Sequence, residues 1–172
     1  MRKETKEKMD GHYSNSDPWN YRNTPDDQIR KKKILSYVPS RLCSILDLGC
    51  GEGFITEGIK ARRRLVGIDI SKRALKRKTS SYKTYCLDIF KDDLDFLGIF
   101  DLVIATGVLY DATEKDIKKL IKITNKYFLS CHIDEWNYGK KYLDKYMKVL
   151  KEETFPYFHA KQYTERLTLY HL

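Results

Sequence analysis

The sequence predicts an α/β fold: a mostly parallel, doubly wound sheet with helices on both faces and antiparallel pairing at one edge. Three observations carry this. Short apolar strands alternate with helical segments from residue 43 to residue 151, the pattern of parallel strands joined by crossovers. A turn with glycines at every second position (Gly49, Gly51, Gly53) follows the first strand. The last two strands follow one another with no helix between them, so they pair as a hairpin.

Each element has a local reason. Residues 1–23 lack periodicity and read as an arm or lid. Thr24 caps a helix that has Pro25 at its first position and Asp26 and Asp27 in its first turn, and the helix stops before Pro39. Cys43 to Leu48 is a strand and Phe54 to Ala61 a helix. Leu65 to Ile70 is a strand, and Ser71 caps a basic helix to Lys78. Tyr82 to Leu87 is a strand, and Phe100 to Ala105 is the most apolar strand in the chain. Thr113 to Asn125 is a helix and Tyr127 to His132 a strand. Tyr138 to Lys151 reads as a helix with Tyr142, Leu143, Tyr146, Met147 and Leu150 on one face. Tyr157 to Gln162 and Leu167 to Leu172 are the final strands. The expected division is an arm over 1–23 and one domain over 24–172.

Composition narrows the class. A chain of 172 residues buries roughly 70% of its extended surface and needs no staples. No apolar run approaches the ~20 residues of a membrane helix. The first residues, MRKETKEKMDGHYSNSD, have no apolar core and do not read as a secretory signal. Cys43, Cys50, Cys86 and Cys131 show no CxxC spacing. They read as reduced, buried thiols of a cytoplasmic protein, with neither a zinc or other metal site nor a disulfide framework indicated. The net charge of +9 invites nucleic acid, but 23 lysines against 10 arginines are spread along the whole chain, as on a solvated surface. Nothing points beyond a monomer or homodimer, and no membrane partner is expected.

The most informative stretch is ILDLGCGEGFIT, residues 45–56. A strand ends, three glycines let the backbone approach a ligand, and a helix follows. Asp69 closes the second strand, 20 residues beyond Gly49. An acid at that distance suits a ribose diol. Phe54 stands where a dinucleotide fingerprint has its third glycine, and Glu52 inside the turn suits a pyrophosphate badly. The loop therefore fits a nucleoside ligand without phosphate, and S-adenosylmethionine is one.

The ordered series ILDLGCGEG, VGIDIS, CLDIF and FDLVIATGVLY resembles the motifs of class I S-adenosylmethionine-dependent methyltransferases, over about residues 24–172. The resemblance implies a Rossmann-like, seven-stranded sheet with its last strand antiparallel. It also implies roles at matching positions. Asp47 would meet the cofactor ammonium, and Gly49, Cys50 and Gly51 the methionine part. Asp69 would take the ribose hydroxyls, with Ile70 on the adenine. Asp88 would accept from the adenine amino group, with Ile89 beside the ring. Thr106 and Gly107 would line the methyl-donor side.

The acceptor is less legible. The fourth-strand motif ATGVLYD is not the Asn/Asp-Pro-Pro-Tyr type of DNA amino-methyltransferases. There is no Pro-Cys pair for cytosine C5 chemistry, and Thr106 stands where a ribose 2′-O-methyltransferase would carry an acid. SDPWNY at 16–21 and VLYD at 108–111 resemble nodulation-type N-methyltransferases and related small-molecule methyltransferases, a group that acts on amino sugars and other small acceptors. Trp19 and Tyr21 would then close over cofactor or acceptor, or else pin the arm to the core. His132 ends the fifth strand at the ligand edge. It is a candidate general base toward a hydroxyl, or a strand-end histidine bonded to a loop. Tyr110 and Asp111 are candidates for the acceptor side, with Asp111 alternatively a helix cap. Trp136 and Tyr138 either stack on a sugar ring or start the next helix.

The expected function is methyl transfer from S-adenosylmethionine to a hydroxyl or amine of a saccharide or small metabolite. The first alternative is an RNA or tRNA methyltransferase docking through Lys60, Arg62, Arg63, Arg64, Lys72, Arg73, Lys76, Arg77 and Lys78. The second is a cofactor-binding partner subunit without catalysis.

Overall fold

A computed structural model of the protein describes residues 5–159 and 161–172. The first four residues of the expected arm lie outside the described residues. The seven strands are β1 (Ser44–Leu48), β2 (Arg64–Asp69), β3 (Lys83–Cys86), β4 (Phe100–Thr106), β5 (Thr124–Ile133), β6 (Lys148–His159) and β7 (Lys161–His171). They form one sheet in the order β3-β2-β1-β4-β5-β7-β6. The first five are parallel, and β7 runs antiparallel between β5 and β6. This is the α/β sheet that the alternation predicts, with the hairpin at its edge.

Side chains alternate across the strands, and both faces are covered. Leu46, Leu48, Val103 and Ala105 face one core with Phe128 and Tyr170, while Ile45, Leu102 and Ile104 face the other with Leu129 and Leu167. Helix α4 (Glu114–Lys122) closes the first layer through Ile117 and Leu120. A capping box starts it: Thr113 and Asp116 each bond the other's backbone N–H. Helix α2 (Pro25–Tyr37) closes the second layer, with Asp27, Arg30, Ile34 and Tyr37 buried along one face. Thr24 stands at its N-cap position without capping; its hydroxyl donates to the Asn20 carbonyl instead, at 2.8 Å. Ser71 does cap α3 (Lys72–Lys76), accepting from Ala74 N at 3.2 Å.

Three elements differ from expectation. The helix expected over Phe54 to Ala61 is one 3-10 turn, Thr56–Gly58. The chain must return at once to β2, where Arg63 N and Arg64 N both reach the Cys43 carbonyl at 3.0 Å. Gly58 lets α2 press close, since a Cβ there would lie 2.4 Å from Leu35 Cδ1.

The helix expected over Tyr138 to Lys151 is α5, Lys140–Tyr146, and the chain is already β6 at Lys148. Pairing with β7 across Lys148↔His171 to His159↔Lys161 overrides the helical spacing and leaves Val149 and Leu150 half exposed. Pro156 is tolerated because β6 is an edge strand. The final strands are accordingly longer than expected.

The arm is not structureless. Helix α1 (Lys6–His12) starts at Thr5, whose side chain accepts from Lys8 N, and Tyr13 after it is buried.

Candidate active site

The carboxyl ends of β1 to β5 and the neighbouring end of the β6–β7 hairpin surround a cavity of about 470 Å³. That lies within the range of small-molecule sites, roughly 300–1,000 Å³. It opens where β1 leaves for β2 on one side and β4 lies on the other, the topological switch point of the sheet. Trp19, Asp47, Gly49, Cys50, Gly51, Asp69, Ile70, Asp88, Ile89, Thr106, Gly107, Tyr110 and Asp111 all border it.

The glycine loop is held open by its own backbone bonds. Gly49 N and Cys50 N donate to the Ile68 carbonyl at 2.7 and 2.9 Å. Gly49 has φ 70°, and a Cβ on it would stand 2.1 Å from Val108 Cγ1. At Gly51, with φ 54°, a Cβ would stand 2.5 Å from the Tyr13 hydroxyl. The loop is thus crossed by one residue after β4 and by another from the arm. Cys50 is buried, and burial pushes its thiol well up, so it is an inert packing residue.

Two buried carboxylates flank this loop. Asp69 Oδ2 accepts from Gly51 N at 2.8 Å and Oδ1 from Ser71 N at 2.8 Å. Burial raises its pKa against these bonds. Asp47 Oδ2 accepts from the Thr56 hydroxyl, while Oδ1 is buried with no partner among the described residues. Burial first, and then the nearby Asp69 charge, push Asp47 up to about 7 despite the Thr56 bond. An orphaned carboxylate oxygen facing a cavity is a ready acceptor for an ammonium group. On the next strand end, Asp88 Oδ1 accepts from Phe90 N at 2.9 Å, so the carboxylate is fixed beside Ile89 at the cavity wall. Asp47, the open glycines and the two further acids therefore fit a nucleoside carrying an ammonium.

His132 has surroundings different from those a base needs. It is fully buried and is not among the residues bordering the cavity. Nε2 accepts from Val108 N at 3.2 Å and Leu109 N at 3.0 Å, so its lone pair is already engaged. Nδ1 then carries the proton. Burial, with the Arg30 charge adding to it, pushes the pKa down to about 3. His132 holds the loop that carries Val108 over Gly49, and this corrects its expected role as a general base. Tyr110, on the same loop, stands edge-on to the His132 ring at 5.4 Å and to Trp136 at 6.0 Å.

The arm covers the half of the cavity next to the glycine loop. Trp19 contacts the rings of His12, Tyr13 and Tyr21, and Tyr21 stacks on Phe54 at 5.7 Å. Glu52 Oε2 accepts from Ser16 Oγ at 3.3 Å and Asp17 N at 3.1 Å, so the acid inside the glycine turn is an anchor for the arm. Much of the basic cluster is similarly engaged. Arg77 donates to the Tyr13 and Ser14 carbonyls at 2.9 Å each, and Arg73 to the Asp10 carbonyl at 3.1 Å. Arg64 donates to the Leu97 and Ile99 carbonyls at 2.8 and 2.9 Å.

Comparison with known proteins follows the same geometry. A family model described as a methyltransferase domain matches residues 46–127. The N-methyltransferase NodS from Bradyrhizobium japonicum WM9, solved with S-adenosyl-L-homocysteine, superposes with TM-score 0.81 at 18% identity, covering 96% of each chain. The fold is that of a class I S-adenosylmethionine-dependent methyltransferase. Magnesium protoporphyrin IX methyltransferase from Synechocystis PCC 6803, with S-adenosylmethionine bound, shares it with TM-score 0.71 at 14% identity, again over 96% of each chain. A candidate RNA methyltransferase from Pyrococcus horikoshii, PH1948, shares it with TM-score 0.66 at 14% identity, over 87% of this chain and 86% of that one. No curated protein matches the sequence significantly.

Within this methyltransferase fold, sequence reasoning missed several residues of the second half of the cavity. Arg30, Tyr157, Tyr163 and Glu165 border it from α2, β6 and β7. No motif marks them, because α2 lies more than a hundred residues away from the hairpin in sequence. Among the described residues no group of three metal-ligating side chains comes together. No helix of the described residues is long and apolar enough to cross a membrane.

Proposed function

We propose that the protein transfers the methyl group of S-adenosylmethionine to a hydroxyl or amine of a saccharide or small metabolite. The observation that carries this is the unpartnered Asp47 Oδ1 at a cavity that also holds Gly49, Gly51, Asp69 and Asp88 at the sheet's switch point. When bound, the cofactor supplies a methyl group already activated on a sulfonium. The chain's own residues then bind, orient and exclude water. Asp47 Oδ1 would accept from the ammonium, Asp69 from the ribose hydroxyls and Asp88 from the adenine amino group. Both oxygens of Asp69 keep one lone pair beyond their backbone bonds. The loop held by His132, with Gly107 and Tyr110 on it and Thr106 just before it at the end of β4, would form the floor between cofactor and acceptor. Trp19, Tyr21 and Phe54 roof the cavity and keep it dry, so that alignment supplies much of the rate. The likeness to NodS, described as an N-methyltransferase, supports an amine among the acceptors.

The test is transfer of labelled methyl from S-adenosylmethionine to two pools, mixed saccharides with small metabolites and bulk RNA, with Asp47→Ala as the blank. Label in the first pool supports the proposal. Label in RNA overturns the acceptor class. Tight cofactor binding with no transfer to either pool favours a partner subunit without catalysis.

A further inference from the structure

The second half of the cavity contains a buried ion pair. Arg30 on α2 is 7% exposed and Glu165 on β7 is 2% exposed. Arg30 Nε lies 3.0 Å from Glu165 Oε1. Nε nevertheless has no hydrogen-bond partner among the described residues, because the angle at that contact is poor. Glu165 Oε2 accepts from the Cys131 thiol at 2.6 Å. Both charged side chains border the cavity. A buried pair of this kind is commonly no more stabilising than a well-packed apolar pair. Its position at a cavity wall therefore points to a ligand.

The wall around the pair is aromatic. Tyr157 lies under the Arg30 guanidinium, 5.8 Å from ring centroid to Cζ, and donates its hydroxyl to Asp27 at 2.9 Å. Trp136 stands edge-on to Tyr163 at 5.1 Å and to Tyr110 at 6.0 Å. The charge of the whole lining is the reverse of the chain's. Seven carboxylates border the cavity against two guanidiniums, Arg22 and Arg30. Arg22 is committed to Glu57 at 3.0 Å, and Arg30 faces Glu165.

We infer that Arg30 and Glu165 read the acceptor, and that they select a polar ring bearing adjacent hydroxyl or amine groups and no phosphate. Glu165 accepts from an O–H or N–H of that ring, and Arg30 donates to a neighbouring oxygen. One face of the ring lies on the Tyr110–Trp136–Tyr163 wall. A phosphorylated acceptor would bring its charge into a lining where seven carboxylates outnumber two guanidiniums, each of which already faces a carboxylate. This inference rests on the methyltransferase reading of the same cavity and adds the residues and the charge rule that choose its substrate.

The experiment measures ligand-observed NMR binding to protein saturated with S-adenosyl-L-homocysteine. The probes are a panel of monosaccharides, disaccharides and amino alcohols, together with their phosphorylated counterparts. Unphosphorylated members are expected to bind at least tenfold tighter than their phosphorylated counterparts. Glu165→Gln and Arg30→Gln are expected to weaken that binding at least tenfold and to leave affinity for S-adenosyl-L-homocysteine within twofold. Either single change strands a buried charge, so the double variant Arg30→Met with Glu165→Leu is made beside them. It should fold as well as wild type and still lose the probes. Equal or tighter binding of phosphorylated members overturns the inference. So does unchanged probe binding in the double variant, or no binding of any unphosphorylated member. Failure of wild type to bind S-adenosyl-L-homocysteine would instead sink the methyltransferase reading itself, so the two failures are distinct.

Discussion

His132 accepts two backbone N–H groups on a single nitrogen, from Val108 at 3.2 Å and Leu109 at 3.0 Å. The loop so held carries Val108 across Gly49 and Tyr110 to the cavity wall. A histidine that looks catalytic by position is, by its bonds, the peg of a loop.

Replacing that peg with an apolar side chain should strand both donors. His132→Leu is expected to lose roughly 2–4 kcal/mol of stability, the usual cost of unsatisfied buried donors. His132→Gln, with an acceptor oxygen near the same place, should recover a good part of it. Denaturant unfolding of the three proteins checks this. Equal stabilities would remove His132 from the loop's support.

The same residue sets a pH dependence. Its folded pKa of about 3 lies below the ordinary value of 6.5. The unfolded chain therefore binds more protons between these values. The stability it contributes is complete above about 6.5 and is lost as pH falls toward 3. Wild type should lose more stability than His132→Gln between pH 7 and pH 4. Methyl transfer should show no inflection near 6.5 that His132→Gln abolishes. Thermal melts and rate profiles across that range decide both points.

Asp47 has the opposite sign. Burial holds its folded pKa near 7, above the ordinary 3.8. The folded protein thus binds the extra proton, and Asp47 lowers stability increasingly as pH rises from about 4 toward 7. Asp47→Asn should raise the melting temperature of the ligand-free protein at pH 8 and leave it little changed at pH 4. It should also weaken S-adenosyl-L-homocysteine binding at least tenfold, by loss of a charge-assisted bond. Because an ammonium favours the ionised form, wild type should release a proton on binding near pH 7. Calorimetry in buffers of different ionisation heat would see this, and an enthalpy independent of buffer would count against Asp47 as the ammonium's partner.

The arm gives a fourth expectation. Gly51→Ala would force a Cβ to 2.5 Å from the Tyr13 hydroxyl at a backbone φ of 54°. The left-handed conformation alone costs about 1–2 kcal/mol for a residue with a side chain. Tyr13 should be displaced, and cleavage by trypsin at Lys6, Lys8 and Arg22 should accelerate. Arg77→Ala removes the donors to the Tyr13 and Ser14 carbonyls and should produce the same proteolytic pattern with a smaller loss of melting temperature. Unchanged digestion in both variants would mean that other contacts fix the arm.

Legibility in the sequence followed contiguity. Gly49, Gly51, Asp69 and Asp88 could be read because each stands at a strand end that its own segment defines, and the parallel sheet then gathers those ends. The peg role of His132 was less accessible, since its strand-end position suits either a base or a loop holder. Only the two backbone donors on Nε2 separate these. Tyr142, Tyr146 and Leu150 mimic one helical face, yet cross-strand bonds turn the chain to β6 after Met147.

By itself, the sequence determined the alternation of strands and helices, the parallel sheet and the glycine loop, because these depend on periodicity and on glycines within single segments. Only the tertiary structure decided the far wall of the cavity, where Arg30 and Glu165 stand. Ile29 is 51% exposed while its neighbour Arg30 is 7% exposed, the reverse of what hydropathy favours. Arg30 turns inward because β7 inserts between β5 and β6 and brings Glu165 to meet it across α2. A buried charge is stable only beside its partner. That partner stands 135 positions further along the chain, so the pairing exists in the sheet order and in no local motif.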